Sequence, residues 1–522
     1  MAISRIKLTH LALTCLFAAA PCHASDYLVT ASSCHPGQYQ PHLAVDGNPE
    51  TRWASREFKK KDEWLQIDFR KTVTFGRIAI TWERAYAAEY QVQVSDDEKT
   101  WKTAGLKKEG KGGREVLENL SAKGRYVRIL CNKPGPHGLV SIWEIEFPDS
   151  DAAAILKEAG KELAAEKQQL AGKAAAILAQ CGVKEIIFAG RQVIGEHWYA
   201  NFGYYAERPD KLYKDGTKLY HLDVTTGKLT TLLEDQKGGI RDPQLSYDAK
   251  KILFSYRKDG SEYYHLFEAD LVRDNGTAPS LGKLKELTTG PWDDIEPTYL
   301  PDGGIIFVSS RGKRWVNCWL THVAILYLCE ADGGNIRPIS SNNEHDNTPW
   351  PLPDGRILYT RWEYVDRSQV HYHHLWIVNP DGTSHMTYFG NLNPGIAMLD
   401  AKPIPGSDKV VVSFSPGHGQ TEHMGSIAVI DPKAGPDNTE FSKELTKGKD
   451  FRDPWALSEN CIIAARKSSL VLVNESGVDV EIARLPEEDI QAGFWLHEPR
   501  PILSRSRECV LPPRVDPSKE TG

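Results

Sequence analysis

DPQLSYDAKKILFSY (242–256) decides the fold, because its pattern returns four more times in the C-terminal part of the chain. Each copy places a proline near its start, then a turn, then an apolar run that is typical of a strand. The other copies are EPTYLPDGGIIFVSS (296–310), TPWPLPDGRILYTRW (348–362), AKPIPGSDKVVVSF (401–414) and DPWALSENCIIAAR (453–466). An internal repeat of about 50 residues indicates a domain built from several copies of one structural unit.

Two further strand-like runs joined by a turn follow each copy, as in LWIVNPDGTSHMTYF (375–389). Four short strands per unit predict a β-propeller. The segment EIIFAG (185–190) begins a unit without a first strand, and HEPRPILS (497–504) could supply that strand from the far end. Sharing one blade in this way would close a six-bladed ring and remove open sheet edges. A seven-bladed ring and an open array are the alternatives.

The chain has two further zones before the repeats. Residues 25–148 contain short β-branched and aromatic runs with period-two alternation, such as RIAITW (77–82) and YQVQVS (90–95), which predict an all-β domain. Residues 151–181 are rich in Ala, Glu, Lys and Leu, and one apolar residue recurs in every heptad, which predicts a long helix. A coiled coil is the alternative to a spacer helix lying on a neighbouring domain. The heptad residues are Leu156, Leu163, Leu170 and Ile177.

The N-terminus is typical of a secretory signal. Arg5 and Lys7 precede a ten-residue apolar stretch that is too short to span a bilayer, and we expect cleavage after Ala24. A short membrane anchor is the alternative. No later segment has 18 consecutive apolar residues, so we predict an exported periplasmic or extracellular protein without a transmembrane segment. The predicted division is a signal peptide (1–24), a β-sandwich (25–149), a helical linker (150–182), a β-propeller (183–506) and a C-terminal tail (507–522).

Charge and cysteine content exclude some functions. The 522 residues include 63 basic and 70 acidic side chains, and this balance argues against nucleic acid as the main partner. Seven cysteines remain after the predicted cleavage, and no two have C-x-x-C spacing, which excludes covalently attached c-type haem. The disulfide pairing is not deducible from the sequence. The seven cysteines are Cys34, Cys131, Cys181, Cys318, Cys329, Cys461 and Cys509.

The N-terminal zone resembles the discoidin, or coagulation factor 5/8 C-type, domain and is closest to its carbohydrate-binding modules. The motifs that carry the resemblance include AVDGNPETRW (44–53), WLQIDF (64–69) and SIWEIEF (141–147). The resemblance implies an eight-stranded jelly-roll sandwich, a structural Ca²⁺ and a glycan site in the loops at one end. The implied calcium ligands are Asp46, Asn48, Thr51 and Glu144. The implied glycan-binding candidates are His35, Tyr39, Arg56, Trp82, Arg84 and Tyr86, although Trp82 could equally belong to the core.

The C-terminal zone resembles a TolB-type propeller, and more specifically the middle domain of the hydrazine synthase alpha subunit. The stretches 315–376, 390–419 and 451–459 carry this resemblance. Hydrazine synthase is a multihaem enzyme, and this chain has no haem-attachment motif. We therefore do not expect hydrazine synthase activity.

Histidine and carboxylate residues cluster in the longer connections of the repeats. Connections at matching positions would converge on one face of a ring, where they could form a transition-metal or acid–base site. The alternative is a set of hydrogen-bonded side chains that brace long loops. If His373 lies in a strand, it points away from its neighbour His374 and cannot share a site with it. The candidates are Glu363, His371, His373, His418, Glu422 and His423.

The acidic residues that precede the repeat prolines, Asp242, Glu296 and Asp453, are predicted to cap turns. No complete catalytic motif is present, so whether the protein is an enzyme stays open. Our leading hypothesis is a secreted, calcium-stabilised carbohydrate-binding protein with a propeller that serves as an interaction platform for a protein partner. The alternatives are an exported metal-dependent or acid–base enzyme that the N-terminal module targets to a cell-surface polysaccharide, and a non-haem subunit of an exported redox assembly.

Overall fold

The computed structural model describes residues 27–35, 39–58, 62–192, 213–273, 278–317, 321–364, 367, 371–416, 424–516 and 519, without the side chains of residues 159–167. These residues divide into two compact units, one that ends at residue 169 and one that begins at residue 170. Strands dominate both units, so the predicted all-β, two-domain fold class is confirmed. The predicted signal peptide lies outside the described residues. Within the described ranges, no helix is long and apolar enough to cross a membrane.

The first unit is a sandwich of two antiparallel sheets with strand orders β1-β3-β8-β5-β6 and β2-β9-β4-β7. Alternating apolar residues of both sheets face a shared core, which includes Trp53, Phe69 and Phe147. The described residues form nine strands rather than eight, because a two-residue strand pairs Trp53 with Ile142. The strands are β1 (Leu28–Ala31), β2 (Trp53–Ala54), β3 (Glu63–Phe75), β4 (Ile78–Trp82), β5 (Ala87–Ser95), β6 (Lys102–Lys107), β7 (Arg114–Leu117), β8 (Ala122–Pro134) and β9 (Ser141–Glu146).

The predicted helix is present as α1 (Asp151–Gln180). Ser150 caps its start, because the Ser150 hydroxyl accepts the Ala153 amide at 3.2 Å. Gly182 ends it with a φ of 81°, and the Val183 amide donates to the Leu178 carbonyl at 2.8 Å. The boundary between the two units falls inside this helix. Ala152 at its start belongs to the core of the first unit, and Ile177 near its end belongs to a core of the second.

The described residues of the second unit form five hydrogen-bonded sheets, and because the largest consists of two antiparallel groups of four strands, we count six sheets. A short parallel pairing of β24 with β26 joins the fourth sheet to the fifth. The strands of the first three sheets are β10 (Glu185–Gln192), β11 (Thr217–Asp223), β12 (Lys228–Asp235) and β34 (Phe494–Pro501); β13 (Gly239–Leu245), β14 (Lys251–Arg257), β15 (His265–Val272), β16 (Ser280–Leu281) and β17 (Lys285–Glu286); and β18 (Asp294–Tyr299), β19 (Ile305–Ser309), β20 (Ile325–Cys329) and β21 (Arg337–Pro338).

The remaining three sheets repeat the same order along the chain. They are β22 (Asp346–Pro351), β23 (Ile357–Trp362), β24 (Tyr372–Val378) and β25 (Met386–Phe389); β26 (Ile396–Pro403), β27 (Val410–Ser415), β28 (Ser426–Ile430) and β29 (Ser442–Glu444); and β30 (Phe451–Ser458), β31 (Cys461–Arg466), β32 (Ser469–Val473) and β33 (Asp479–Arg484). A short helix, α2 (Glu487–Gln491), precedes the last strand, β34.

The six sheets close into a ring. The first strands β13, β18, β22, β26 and β30 contact one another in chain order, and β34 contacts both β30 and β13. β34 pairs antiparallel with β10, so the last strand of the chain completes the first sheet. Arg191 on β10 and Glu498 on β34 form a buried bidentate ion pair at 2.8 and 2.9 Å across this closure. The last strand of the chain therefore completes the ring that the first strands of the other five sheets form.

The residues before the repeat prolines link consecutive sheets rather than cap turns. Asp242 accepts the Glu296 amide at 2.9 Å, Glu296 accepts the Thr348 amide, and Asp453 accepts the Glu498 amide at 2.9 Å. Each of these residues has a positive φ inside a first strand, at a β-bulge in β13, β18 and β30. The bulge tolerates the following proline, which has no amide to donate. The prediction that they cap turns was therefore wrong, because the relevant partner lies about 50 residues away in the next sheet.

Candidate functional site

One end of the sandwich collects four loops around a buried tryptophan. The Trp53 indole donates to the Ser33 carbonyl at 3.1 Å, and the His35 amide donates to the Ala54 carbonyl at 2.8 Å. The Glu83 amide in turn donates to the Ser141 carbonyl at 3.0 Å. These bonds, with the donation of the Ser55 amide to the Val140 carbonyl at 2.8 Å, hold residues 32–35, 39, 52–58, 83–86 and 135–143 at one place. The loop end, as we call this region, is therefore a rigid frame for the side chains it displays.

Arg52 is the central side chain of the loop end. Its guanidinium carbon lies 4.7 Å from the centre of the Tyr39 ring and 5.1 Å from the centre of the Trp143 ring. Its Nη1 atom donates to the Ser141 hydroxyl at 3.0 Å and lies 3.3 Å from the Glu83 carboxylate. Two half-exposed rings beside a fixed cation and a carboxylate combine an apolar surface with directional hydrogen-bonding groups.

The sequence-based candidates occupy different environments at the loop end. His35 is exposed and meets the Tyr39 ring edge-on at 5.5 Å, and Arg56 donates to the Cys34 carbonyl at 3.2 Å. Arg84 is exposed and Tyr86 is half-buried against the core. Trp82 is only 3% exposed and packs on the Tyr90 ring at 5.1 Å. Trp82 therefore belongs to the core, which is one of the two roles that the sequence left open for it.

The four predicted calcium ligands meet beside this end of β9. The Thr51 hydroxyl donates to both Asp46 carboxylate oxygens at 2.9 Å, and the Gly47 amide donates to Glu144 Oε2 at 3.1 Å. The Asn48 amide donates to Asp46 Oδ1 at 3.0 Å. Burial, together with the Asp46 charge, raises the pKa of Glu144 to about 8. The Asp46 and Glu144 carboxylates thus lie close enough for the Asp46 charge to act on Glu144, and oxygen donors of this kind suit Ca²⁺.

The candidates of the second unit lie around the start of β24. Glu363 Oε2 lies 3.5 Å from His374 Nε2 and 3.2 Å from Arg367 Nη1. His371 is exposed, whereas His373 is buried and stacks on the Trp362 ring at 5.3 Å. His373 and His374 are successive strand residues and occupy opposite sides of the sheet, as predicted. The predicted candidates His418, Glu422 and His423 lie outside the described residues.

The buried position of His374 predicts an acid-sensitive stability. Burial, with the charges of Arg367 and Arg361, lowers the pKa of His374 to about 4. The folded state thus holds this ring neutral. The free energy of unfolding is therefore highest above the unfolded-state pKa of about 6.5, and it decreases as the pH falls towards 4. We expect this ring to lower the free energy of unfolding by about 2–3 kcal/mol between pH 6.5 and 4, and we expect the decrease to be absent from His374→Leu. Urea unfolding at several pH values measures it.

His371→Leu provides the matched control, because His371 is an exposed histidine of the same segment. Its stability should follow that of the unmodified protein at every pH. An unchanged pH dependence in His374→Leu would contradict the assignment of the acid sensitivity to this ring.

One buried triad could offer metal ligands in the described part of the chain. Atoms of Asp453, His497 and Glu498 lie within 4.8 Å of one another. Glu498 is already bound by the Arg191 guanidinium, and Arg452 Nη1 lies 3.4 Å from His497 Nδ1. A cation added there would meet two guanidinium groups in a buried site, where like charges repel strongly. The triad therefore fits ring closure better than metal binding.

The comparisons with known proteins bear first on the sandwich. The family model described as F5/8 type C domain matches residues 29–145. Residues 29–145 are therefore an F5/8 type C domain. A search of the curated proteins finds no match for the chain.

Solved structures resemble each unit separately. A variant of chitosan-binding module 1 from the chitosanase/glucanase of Paenibacillus sp. IK-5 is 32% identical, with 23% of this chain and 90% of that chain covered and a TM-score of 0.22. Chitosan-binding module 2 of the same enzyme, solved with chitotriose, is 29% identical, with 24% and 96% covered and a TM-score of 0.22. Kuenenia stuttgartiensis hydrazine synthase is 19% identical, with 63% of this chain and 48% of that chain covered and a TM-score of 0.49.

Sequence reasoning missed three residues of the loop end in the F5/8 type C domain. Arg52 and Trp143 lie inside the motifs that identify the domain, and Glu83 follows the end of β4. Arg52 and Trp143 are separated by about 90 residues, so their contact appears only when β2 pairs with β9. The alternation of side chains along a strand was an available signal. Trp143 follows the inward-facing Ile142 on β9 and therefore points away from the core.

Proposed function

We propose that the F5/8 type C domain binds a carbohydrate at the loop end. The observation that carries the proposal is the cluster of Tyr39, Arg52 and Trp143. Aromatic rings can stack on the C–H faces of a sugar, while Arg52 and Glu83 offer hydrogen bonds to its hydroxyl groups. The similarity to modules named for binding chitosan supports the same class of ligand.

The charges of the loop end bear on the kind of glycan. Arg52 and Glu83 compensate each other, and the other charged side chains in the described loop residues are Arg56, Arg84 and Glu57, all exposed. The positive charges of Arg56 and Arg84 outnumber the negative charge of Glu57. This excess favours a neutral or acidic sugar over a polycation such as chitosan. We therefore propose that the ligand is a neutral or uronate-containing glycan of an extracellular or cell-surface polysaccharide, and that the protein is exported to reach it.

Titration calorimetry on the full-length protein tests this proposal. The panel contains galactose, a mannuronate oligomer and chitotriose, and a glycan array extends it. We expect the mannuronate oligomer to bind more tightly than chitotriose, with a difference that shrinks as salt is raised. Tighter chitotriose binding would overturn the charge argument, and the absence of binding to every glycan on the array would overturn the proposed function.

We also propose that Asp46, Asn48, Thr51 and Glu144 hold a structural Ca²⁺. The paired carboxylates and the raised pKa of Glu144 support it, because a divalent cation would relieve the repulsion between Asp46 and Glu144. The ion would tie the turn of residues 46–51 to β9 and thereby stiffen the frame below the loop end. Thermal unfolding with calcium and with a chelator tests this stabilisation.

A pH-dependent calcium affinity follows from the same carboxylates. Without the ion, Glu144 carries a proton below a pKa of about 8, so Ca²⁺ must displace that proton. We expect calcium affinity to rise with pH, by up to about tenfold per unit between pH 6 and 8, and to level off above. Calcium titrations at several pH values measure this dependence. Glu144→Gln should abolish binding, whereas Glu146→Gln, which alters an exposed residue of the same strand, should not.

A further inference from the structure

Two cysteines that are 280 positions apart in the sequence meet in the second unit. Cys181 directly follows the last residue of α1, and Cys461 is the first residue of β31. Their Sγ atoms lie 4.0 Å apart. A disulfide requires about 2.05 Å between the sulfur atoms, so the two sulfur atoms must approach by about 2 Å for the bond to form.

The backbone on both sides of the pair is fixed. The Cys181 amide donates to the Ile177 carbonyl at 3.1 Å within the C-terminal turn of α1. Cys461 pairs with Ser458 across the turn between β30 and β31, and its side chain is 1% exposed. Both cysteines pack in the same apolar cluster as Ile177 and Leu178. The two thiols therefore stay close without rearrangement of the surrounding structure.

The two thiols differ in exposure and acidity in a way that suits sequential oxidation. Cys181 is half-exposed, whereas Cys461 is buried. A hydrogen bond with the Cys461 thiol lowers the pKa of Cys181 below its ordinary value, against the opposing effect of burial. The thiolate is the attacking form of a cysteine, so Cys181 is the group that an external oxidant would meet first.

We propose that Cys181 and Cys461 form a disulfide when the protein meets a low-molecular-weight disulfide such as oxidised glutathione. The Cys181 thiolate attacks one sulfur of the oxidant, a mixed disulfide forms, and one glutathione leaves. The Cys461 sulfur then attacks the Cys181 sulfur, gives up its proton and displaces the second glutathione. Two electrons pass from the cysteine pair to the oxidant, and the two protons end on the released glutathione thiols.

The bond would join the start of the second unit to its sixth sheet. Residue 181 precedes β10 of the first sheet, and β31 belongs to the sixth sheet, so the crosslink spans the same junction that β34 closes. The disulfide therefore adds a covalent closure to the ring beside the Arg191–Glu498 pair. A crosslink that encloses such a long segment of the chain strongly lowers the conformational entropy of the unfolded state.

Peptide mapping of the full-length protein tests the proposal. Reduced, folded protein is incubated with oxidised glutathione, quenched in acid, denatured, alkylated and digested. We expect one dominant crosslinked peptide that joins Cys181 to Cys461, together with a rise of about 5 °C in the Tm of the second unit. Cys461→Ser should leave Cys181 carrying one glutathione and no crosslink, with Cys461→Ala as a second variant if Cys461→Ser does not fold.

Cys329→Ser is the matched control, because Cys329 is a buried cysteine elsewhere in the same unit. This variant should keep both the crosslink and the rise in Tm. Recovery of Cys181 and Cys461 as alkylated thiols after oxidation would overturn the proposal. So would a crosslink from either cysteine to another, such as Cys318 or Cys509.

Discussion

Arg191→Ala should cost the second unit about 3–5 kcal/mol of its free energy of unfolding. Arg191 and Glu498 are 7% and 6% exposed, and their bidentate contact joins β10 to β34. Removing the guanidinium leaves the Glu498 carboxylate in a buried site beside Asp453, without its main partner. Urea unfolding, followed by a signal that reports on the second unit, measures the loss.

Arg356→Ala is the control for this prediction. Arg356 and Asp354 also form a close pair, at 2.6 Å, but they are 36% and 49% exposed. An exposed pair contributes only about 0–1 kcal/mol, so this variant should unfold at nearly the urea concentration of the unmodified protein. Equal losses in the two variants would mean that the Arg191–Glu498 pair does not hold the ring closed.

Tyr39→Ala and Arg52→Ala should each weaken glycan binding by about 10- to 30-fold, which corresponds to about 1.4–2 kcal/mol. The Tyr39→Ala variant lacks one stacking surface. The Arg52→Ala variant lacks the guanidinium that contacts both rings and that donates a hydrogen bond to Ser141. The effect should appear in the dissociation constant measured by calorimetry with the tightest ligand of the panel.

Tyr126→Ala is the matched control, because Tyr126 is a half-exposed tyrosine on β8 of the same F5/8 type C domain, away from the loop end. It should bind glycan as tightly as the unmodified protein. Thermal unfolding of all three variants separates a lost contact from a lost fold. A full-affinity Tyr39→Ala variant that remains folded would place the binding site elsewhere.

Much of the fold could be predicted because repeated residues impose repeated structure. The proline-containing copies predicted the first strands of the sheets, and HEPRPILS predicted the closing strand, now seen as β34. The role of the acidic residue before each proline could not be predicted. Its function depends on a positive φ and on an amide in the next sheet, as in the bond from Glu296 to Asp242. Neither feature leaves a periodic signal in the sequence.

The candidate sites likewise combine features that could be predicted from the sequence with features that depend on tertiary structure. The grouping of Asp46, Asn48 and Thr51 with Glu144 was implied by the family resemblance, and their contacts agree with it, while calcium binding stays a prediction. The Arg52–Trp143 contact and the Cys181–Cys461 pair depend on tertiary structure alone. Trp82 was ambiguous because an aromatic residue at a strand end suits a core and a binding loop equally. Burial decided between them.

The completion of the first sheet by β34 also sets the timing of folding during synthesis. The F5/8 type C domain uses a continuous stretch of chain, so it can fold while the ribosome is still translating the repeats. The second unit cannot finish until residues 494–501 have been made, about 300 residues after β10. Until then, β10 keeps an unpaired edge that can pair with other chains. A message truncated before codon 494 should therefore yield an aggregation-prone product, even though five of the six sheets have all their strands.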